Sequence, residues 1–206
     1  MVELTLTLSK FTYLLSATLT IGFLLAIIFF AKNLHGHIRE NHKTLRSKAG
    51  IAAWIWAAAT VIYIVATLAS VLDVSLLEAL DFTTLRSFIT QISLGKFLAI
   101  QLLGAVIVAI WVKRCQRITQ ATLVLLLALV ALSAPIFQSH SASGGSHLMA
   151  IGTLLVHVVA ITMWVGGLIV ILISTEFDKK IALTADIYVA SVNFKLIRAK
   201  FAIRAK

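Results

Sequence analysis

SHSASGGSHLMAIGTLLVHVVAITMWVGGLIVILI, residues 139–173, decides the fold. From Leu148 to Ile173 there is no Asp, Glu, Lys or Arg, and so long an apolar run meets the roughly 20 residues an α-helix needs to cross a bilayer. His157 is the one ionisable side chain inside it. Ionisable groups are expensive in hydrocarbon, so a pathway or ligand role is the first reading of this position. Counted from His147 at about 1.5 Å per residue, His157 lies roughly 15 Å down the helix, in the upper half of the membrane. Residues seven apart differ by only about 20° around a helix, so His157 and Trp164 line one face with Thr153 near them. Gly152 and Gly166 fall on the other side. Small residues let helices approach closely in a membrane, which makes the glycine side a packing seam and leaves the His157 side open to a cavity or another helix. The plain alternative is a histidine that hydrogen-bonds one neighbour and only cements the bundle.

Sixty per cent of the residues are hydrophobic and only one is proline, and with a mean hydropathy of +1.01 the chain is excluded from the ordinary soluble domains. A net charge of +10 would point to nucleic acid in a soluble protein. Here the basic residues cluster between apolar spans, where they orient the chain in the bilayer, and nucleic acid is given no role. The single cysteine, Cys115, excludes an internal disulfide framework. It sits among Lys113, Arg114 and Arg117 and reads as a spectator thiol in a connecting loop; a thiolate whose pKa those basic neighbours lower is the alternative.

The pattern predicts an all-α integral membrane helical bundle with about five spans, at 11–31, 49–72, 92–112, 118–136 and 148–174. The first is too long for a signal-peptide core and runs into a basic loop, so it reads as a retained helix. Within it Ser16 and Thr20 can bond either across a helix interface or back to their own backbone. Lys32, Arg39, Lys43, Arg46 and Lys48 crowd the next loop against Glu40 alone, and Lys113, Arg114 and Arg117 crowd another. Asp73, Glu78 and Asp81 make the intervening loop acidic, and residues 137–147 carry no formal charge. Basic loops mark the cytoplasmic side, which puts the N-terminus outside and the C-terminus inside. Residues 1–174 then form the transmembrane domain and 175–206 a basic cytoplasmic tail. Trp54 and Trp56, near the inner end of the second span, are expected at the headgroups. Leu76, Leu77, Leu80, Leu85, Phe88 and Ile89 recur at helical spacings and predict a short helix on the outer surface. Lys96 has a stem long enough to snorkel from the third span, and Pro135 closes or kinks the fourth. His35, His37 and His42 share the first basic loop; metal binding and a solvated topology signal are the two readings of them. No Walker, GxGxxG, HExxH or CxxC pattern occurs, and nothing in the chain calls for catalysis.

The chemistry gathers at the outer end of the last span. Imidazoles suit copper, zinc and iron, thioethers favour reduced copper, and His140, His147 and His157 are accompanied by Met149 and Met163. Copper fits this donor set best. A closed structural zinc site would bring four ligands together. A loose outer pair followed by a buried histidine instead describes a staged path, in which weak, sequential ligation allows release. A haem-binding electron-transfer bundle is one rival, since a buried histidine serves as an axial ligand, although a bis-histidine site needs a second imidazole. A non-metal scaffold that docks other membrane subunits is another.

The run SHSASGGSHLMAIGTLLVHVVAITMWVGGL resembles the copper-resistance D family of membrane proteins, with its histidine-bearing outer loop and H-x6-W-x-G-G helix. LDVSLLEALDFTTLRSFITQISLGKFLAIQLL is similar to the N-terminal half of the actinobacterial version, in which this module is fused to a CtaG-like cytochrome oxidase assembly module. His157, Trp164, Gly166 and Gly167 are the most specific part of the likeness, and His140 matches as well. The resemblance implies copper uptake or handling at the plasma membrane, with His140 and His147 capturing the ion, His157 as the intramembrane ligand, Met149 and Met163 as weaker ligands and Trp164 walling the site. Its implied partners are the lipid bilayer, copper, and a cytochrome oxidase assembly factor, an extracytoplasmic copper chaperone or a missing C-terminal half. Family members usually continue with further membrane helices, whereas this chain turns polar and basic from Glu176, so it is expected to be a fragment, a truncated product or one half of a split system.

Overall fold

Uncharged stretches rich in Leu, Ile, Val and Ala leave the backbone no partner but itself inside a bilayer, and every long apolar run here is accordingly helical. The computed structural model describes residues 1–30, 43–138, 149 and 151–174. Among them the order is α1 (Val2–Phe30), α2 (Lys43–Leu72), a 3-10 turn (Glu78–Leu80), α3 (Phe82–Gln91), α4 (Ser93–Val112), α5 (Ile118–Ser133) with a 3-10 extension (Ala134–Gln138), and α6 (Ile151–Ser174). All but α3 are long and apolar enough to cross a membrane. The protein is therefore an all-α membrane bundle with five candidate spans, and no strand occurs among the described residues. The chain divides into two units, Met1–Ile169 and Val170–Lys206. The described residues of the second, 170–174, are helical.

Within the first unit, α1 packs on α2 and α5, α2 on α4, and α4 on α5, which closes a ring of four helices. Trp56, Ile21, Leu24, Ile27, Leu68, Leu98, Val108 and Val112 fill its interior. Lipid tails are as apolar as these side chains, so the ring is held by close packing more than by withdrawal from water. Phe11, Trp54, Ile55, Leu103, Leu123 and Val130 stay exposed and form a lipid-facing shell.

Three details depart from the sequence reading, the first being that α2 begins at Lys43 rather than 49 and takes in Arg46 and Lys48. Glu3 and Lys10 interrupt the apolar run, yet α1 begins at Val2, beside the C-terminal end of α2, where Ser70 Oγ donates to Glu3 Oε1 at 3.2 Å. Trp56 is not at the headgroups but fully buried, whereas Trp54 is exposed. Residues two apart point about 200° away from each other on a helix, so the two indoles cannot share a face. Ser16 and Thr20 take the local option: Ser16 Oγ donates to Thr12 O at 2.6 Å and Thr20 Oγ1 to Ser16 O at 2.8 Å.

The acidic segment after α2 is ordered by its caps. Asp73 adopts φ 53°, and Val74 N donates back to Ala69 O at 3.0 Å, a left-handed helix ending that Asp tolerates better than most side chains. Asp81 then caps α3, its Oδ2 accepting from Thr84 N at 2.9 Å and Thr84 Oγ1 at 2.8 Å. Those bonds hold the Asp81 carboxyl below its ordinary pKa. Phe88 and Ala79 are buried in one cluster with Ile64, Leu68, Ala69 and Leu98, and Leu76, Leu85 and Ile89 pack against it. The predicted helix is thus confined to its second half, since Leu77 and Leu80 precede α3 and are exposed, and that half forms a lid bolted to α2 and α4 at one end of the ring.

Candidate functional site

α6 carries the histidine, and its contact with the ring passes through glycine. Gly166 is buried against Gly22 and Thr18 of α1, and a Cβ on either glycine would collide with backbone of the facing helix. Gly167 lies beside Leu25, 4.0 Å from its Cδ1 to a Cβ position, which is ordinary contact. The close approach is confined to this level, because a Cβ on Gly152 would meet nothing within 4 Å. Both threonine hydroxyls of the helix are spent on nearby backbone: Thr153 Oγ1 donates to Met149 O at 2.8 Å and Thr162 Oγ1 to Val158 O at 2.5 Å.

His157 stands nine residues before Gly166, about half a turn around the helix at roughly 100° per residue, and it is exposed. Thr153, Val156 and Trp164 are exposed with it, Trp164 at 70%. This stripe forms the outward flank of α6. The two thioethers do not join it. Met149 is exposed but stands about 80° from His157 and two turns away, and Met163 is half-buried about 120° around. His140 and His147 lie outside the described residues, as do His35, His37, His42 and the basic tail. Among the described residues no three of His, Cys, Asp and Glu gather closely enough to hold a metal.

Cys115, the other soft donor, is withdrawn from chemistry. Its side chain is 3% exposed, its Sγ donates to Trp111 O at 3.4 Å, and Arg46 Nη1 donates to its carbonyl at 2.6 Å. Burial pushes the thiol pKa up, and the Arg46 charge only partly offsets this. The thiol is thus a spectator in the turn between α4 and α5, as its place in a connecting loop suggested, and the alternative of a lowered pKa is not what burial produces. Arg46 ties the start of α2 to the turn between α4 and α5.

Gln101 and the indole of Trp56 were not legible as special from the sequence. Both are fully buried in the ring, and the Gln101 amide and Trp56 Nε1 have no hydrogen-bond partner among the described residues. Leu98, Gln101, Ala105, Val108 and Val112 form the buried stripe of α4. The spacing from Leu98 was the available signal for Gln101. A neutral amide is a hard donor and a poor copper ligand, so it adds no metal site.

A family model described as copper resistance protein D-like, N-terminal domain, matches residues 1–148. Comparison with curated proteins and with solved structures gives no match. The matched segment takes in α1 to α5 and the 3-10 extension, and stops before α6. It covers well over half of the chain, and its helices are those of a membrane bundle. The chain thus belongs to the copper resistance protein D-like family through its N-terminal domain, a membrane protein whose role lies broadly in copper resistance or handling.

Proposed function

We propose that the protein binds copper from its outer face and moves it inward or toward a partner. In this reading His140 and His147 capture the ion, His157 is the intramembrane ligand, Met149 and Met163 are weaker stations, and Trp164 walls the path. The basic loops set the N-terminus outside and the C-terminus inside. The receiving partner is an extracytoplasmic chaperone, an oxidase assembly factor or a C-terminal half. No step requires catalysis.

The observation that supports this most is the position of His157. It stands opposite the glycine contact, on the exposed flank of a span without formal charge. An imidazole so placed has lost water and needs a partner in its stead, and a soft cation is one that imidazole nitrogen binds well. Met163, facing elsewhere, supports a staged path more than a closed cage.

The test is copper retention by the purified protein in detergent. Wild type is expected to keep copper, and His157→Ala to lose most of it while its thermal unfolding stays put, because the ring is exposed. A Soret band in the wild-type spectrum would move the assignment to haem. Unchanged copper content and tolerance in cells lacking His140, His147 and His157 together would leave a scaffold.

A further inference from the structure

Between α1 and α2 the ring surface opens into a groove of about 340 Å³ lined by Thr12, Leu15, Leu19, Phe23, Lys48 and Ile55, among others. Its floor is closed by the buried Ser16, Phe23 and Ala52, and its rims are the exposed Leu15, Ile51 and Ile55. The groove therefore faces the hydrocarbon. Thr12 Oγ1 donates to Leu8 O at 2.7 Å and Ser16 Oγ to Thr12 O, so the wall offers no open hydroxyl and is apolar in effect. Lys48 is its one charged residue.

The register of the two helices fixes how the groove lies. Tyr13 stacks obliquely on Tyr63 with ring centroids 5.1 Å apart, and Glu3 is bonded to Ser70, so α1 and α2 run antiparallel side by side. Thr12 is then near mid-span, and Lys48 sits close to the end where α2 begins. Thr12 to Phe23 is about 16 Å at 1.5 Å per residue, close to half of a hydrocarbon core of about 30 Å. The groove is one leaflet deep, and its charged end is at the headgroup side. Arg46 and the Lys113–Arg117 turn, which Arg46 bonds at Cys115, stand at that same end and add positive charge.

We propose that this groove is a binding site for one anionic phospholipid, with an acyl chain laid between α1 and α2 and the phosphate held at Lys48. Depth, apolar lining and a cationic end match the two parts of such a lipid, and a basic residue at an inter-helix groove is where anionic headgroups are held. Nothing in the site discriminates by chain length. The preference comes from headgroup charge alone.

Native mass spectrometry of the full chain in a mild detergent, after incubation with dioleoyl-phosphatidylglycerol or dioleoyl-phosphatidylcholine, tests it. The phosphatidylglycerol adduct is expected to be retained about fivefold over phosphatidylcholine, the size of one lysine–headgroup attraction. Lys48→Gln should remove most of that preference, leaving what the neighbouring basic residues supply, while Lys10→Gln, elsewhere on α1, should keep it. Leu19→Trp, which fills the groove, should reduce retention of both lipids. Excess inorganic phosphate should displace neither, since a headgroup without a chain lacks the groove's contacts. Equal retention of the two lipids by wild type, a preference undiminished in Lys48→Gln, or displacement by phosphate would each overturn the site.

Discussion

The four ring helices and α6 are made from the same kinds of residue and do opposite things. The most apolar windows of α1, α2, α4 and the α5 segment are 44–56% buried, against 17% for α6. Each ring helix is gripped by two others, while α6 meets α1 where Gly22 and Gly166 cross. The family match falls on the ring and ends before α6. Thr20, Thr60 and Gln101 of the ring are buried, while His157 of α6 is exposed. The contrast teaches that apolar composition decides only that a helix enters the membrane. Which part supplies rigidity and which part stays available is decided by small residues at a few crossings.

Removing packing from the ring should cost most. Trp56→Ala is expected to destabilise by about 3 kcal/mol, the low end for a large buried aromatic because lipid is as good an apolar medium as the core. Trp56→Phe should cost much less, since it keeps most of the volume and removes the unpartnered indole N–H. Denaturant titration in mixed micelles measures both. Equal losses would mean that the indole N–H has a partner and that the ring is not held chiefly by volume.

The α6 contact is the next test. Gly166→Leu forces a side chain into the α1 backbone and should cost about 1–3 kcal/mol, felt in α6 alone. Gly152→Leu, where there is open space, should be neutral within about 0.5 kcal/mol. Hydrogen exchange reads the difference: amides of α6 should lose protection in the first variant while those of α2 keep theirs. If α2 loosened too, the ring and α6 would be one cooperative body and the division drawn above would fail.

How far the sequence could be read follows the same division. Long uncharged runs announce helices without ambiguity, because hydrocarbon forbids unsatisfied backbone, and the five spans follow from that alone. The lid helix was visible in the spacing of Leu85, Phe88 and Ile89, a period of 3.6 with one buried face. Hydropathy is silent on rotation about the helix axis when all sides are apolar. Trp56 read as a headgroup anchor for that reason, though it is the largest side chain in the interior. The half-turn between His157 and Gly166 was predictable from arithmetic, since a glycine contact on one side fixes where the other side points. What no spacing could reveal was which helix Gly166 would meet, because Gly22 is one of several small residues in α1 and only the tertiary crossing selects it. Cys115 was legible as a loop spectator, but the Arg46 bond to its carbonyl from a distant helix was not, since nothing in the local sequence pairs the two.

The smallest expected effect lies at the lid, outside both regions. Asp81→Ala removes an acceptor for Thr84 N and Thr84 Oγ1 and should fray the first turn of α3 without moving the global unfolding of the ring. The pH dependence has a definite sign. Hydrogen bonds from Thr84 stabilise the charged carboxylate, so its folded pKa lies below its unfolded one. The cap's contribution is then complete above the ordinary carboxylate value of about 3.9 and is lost as the pH falls through the lowered folded value. Amides at Thr84 and Leu85 should exchange faster in Asp81→Ala at neutral pH, and acidified wild type should approach the same rate. Phe88, buried between α2 and α4, should keep its protection in both. Loss at Phe88 would show that the cap, rather than the apolar cluster beneath it, holds the lid down.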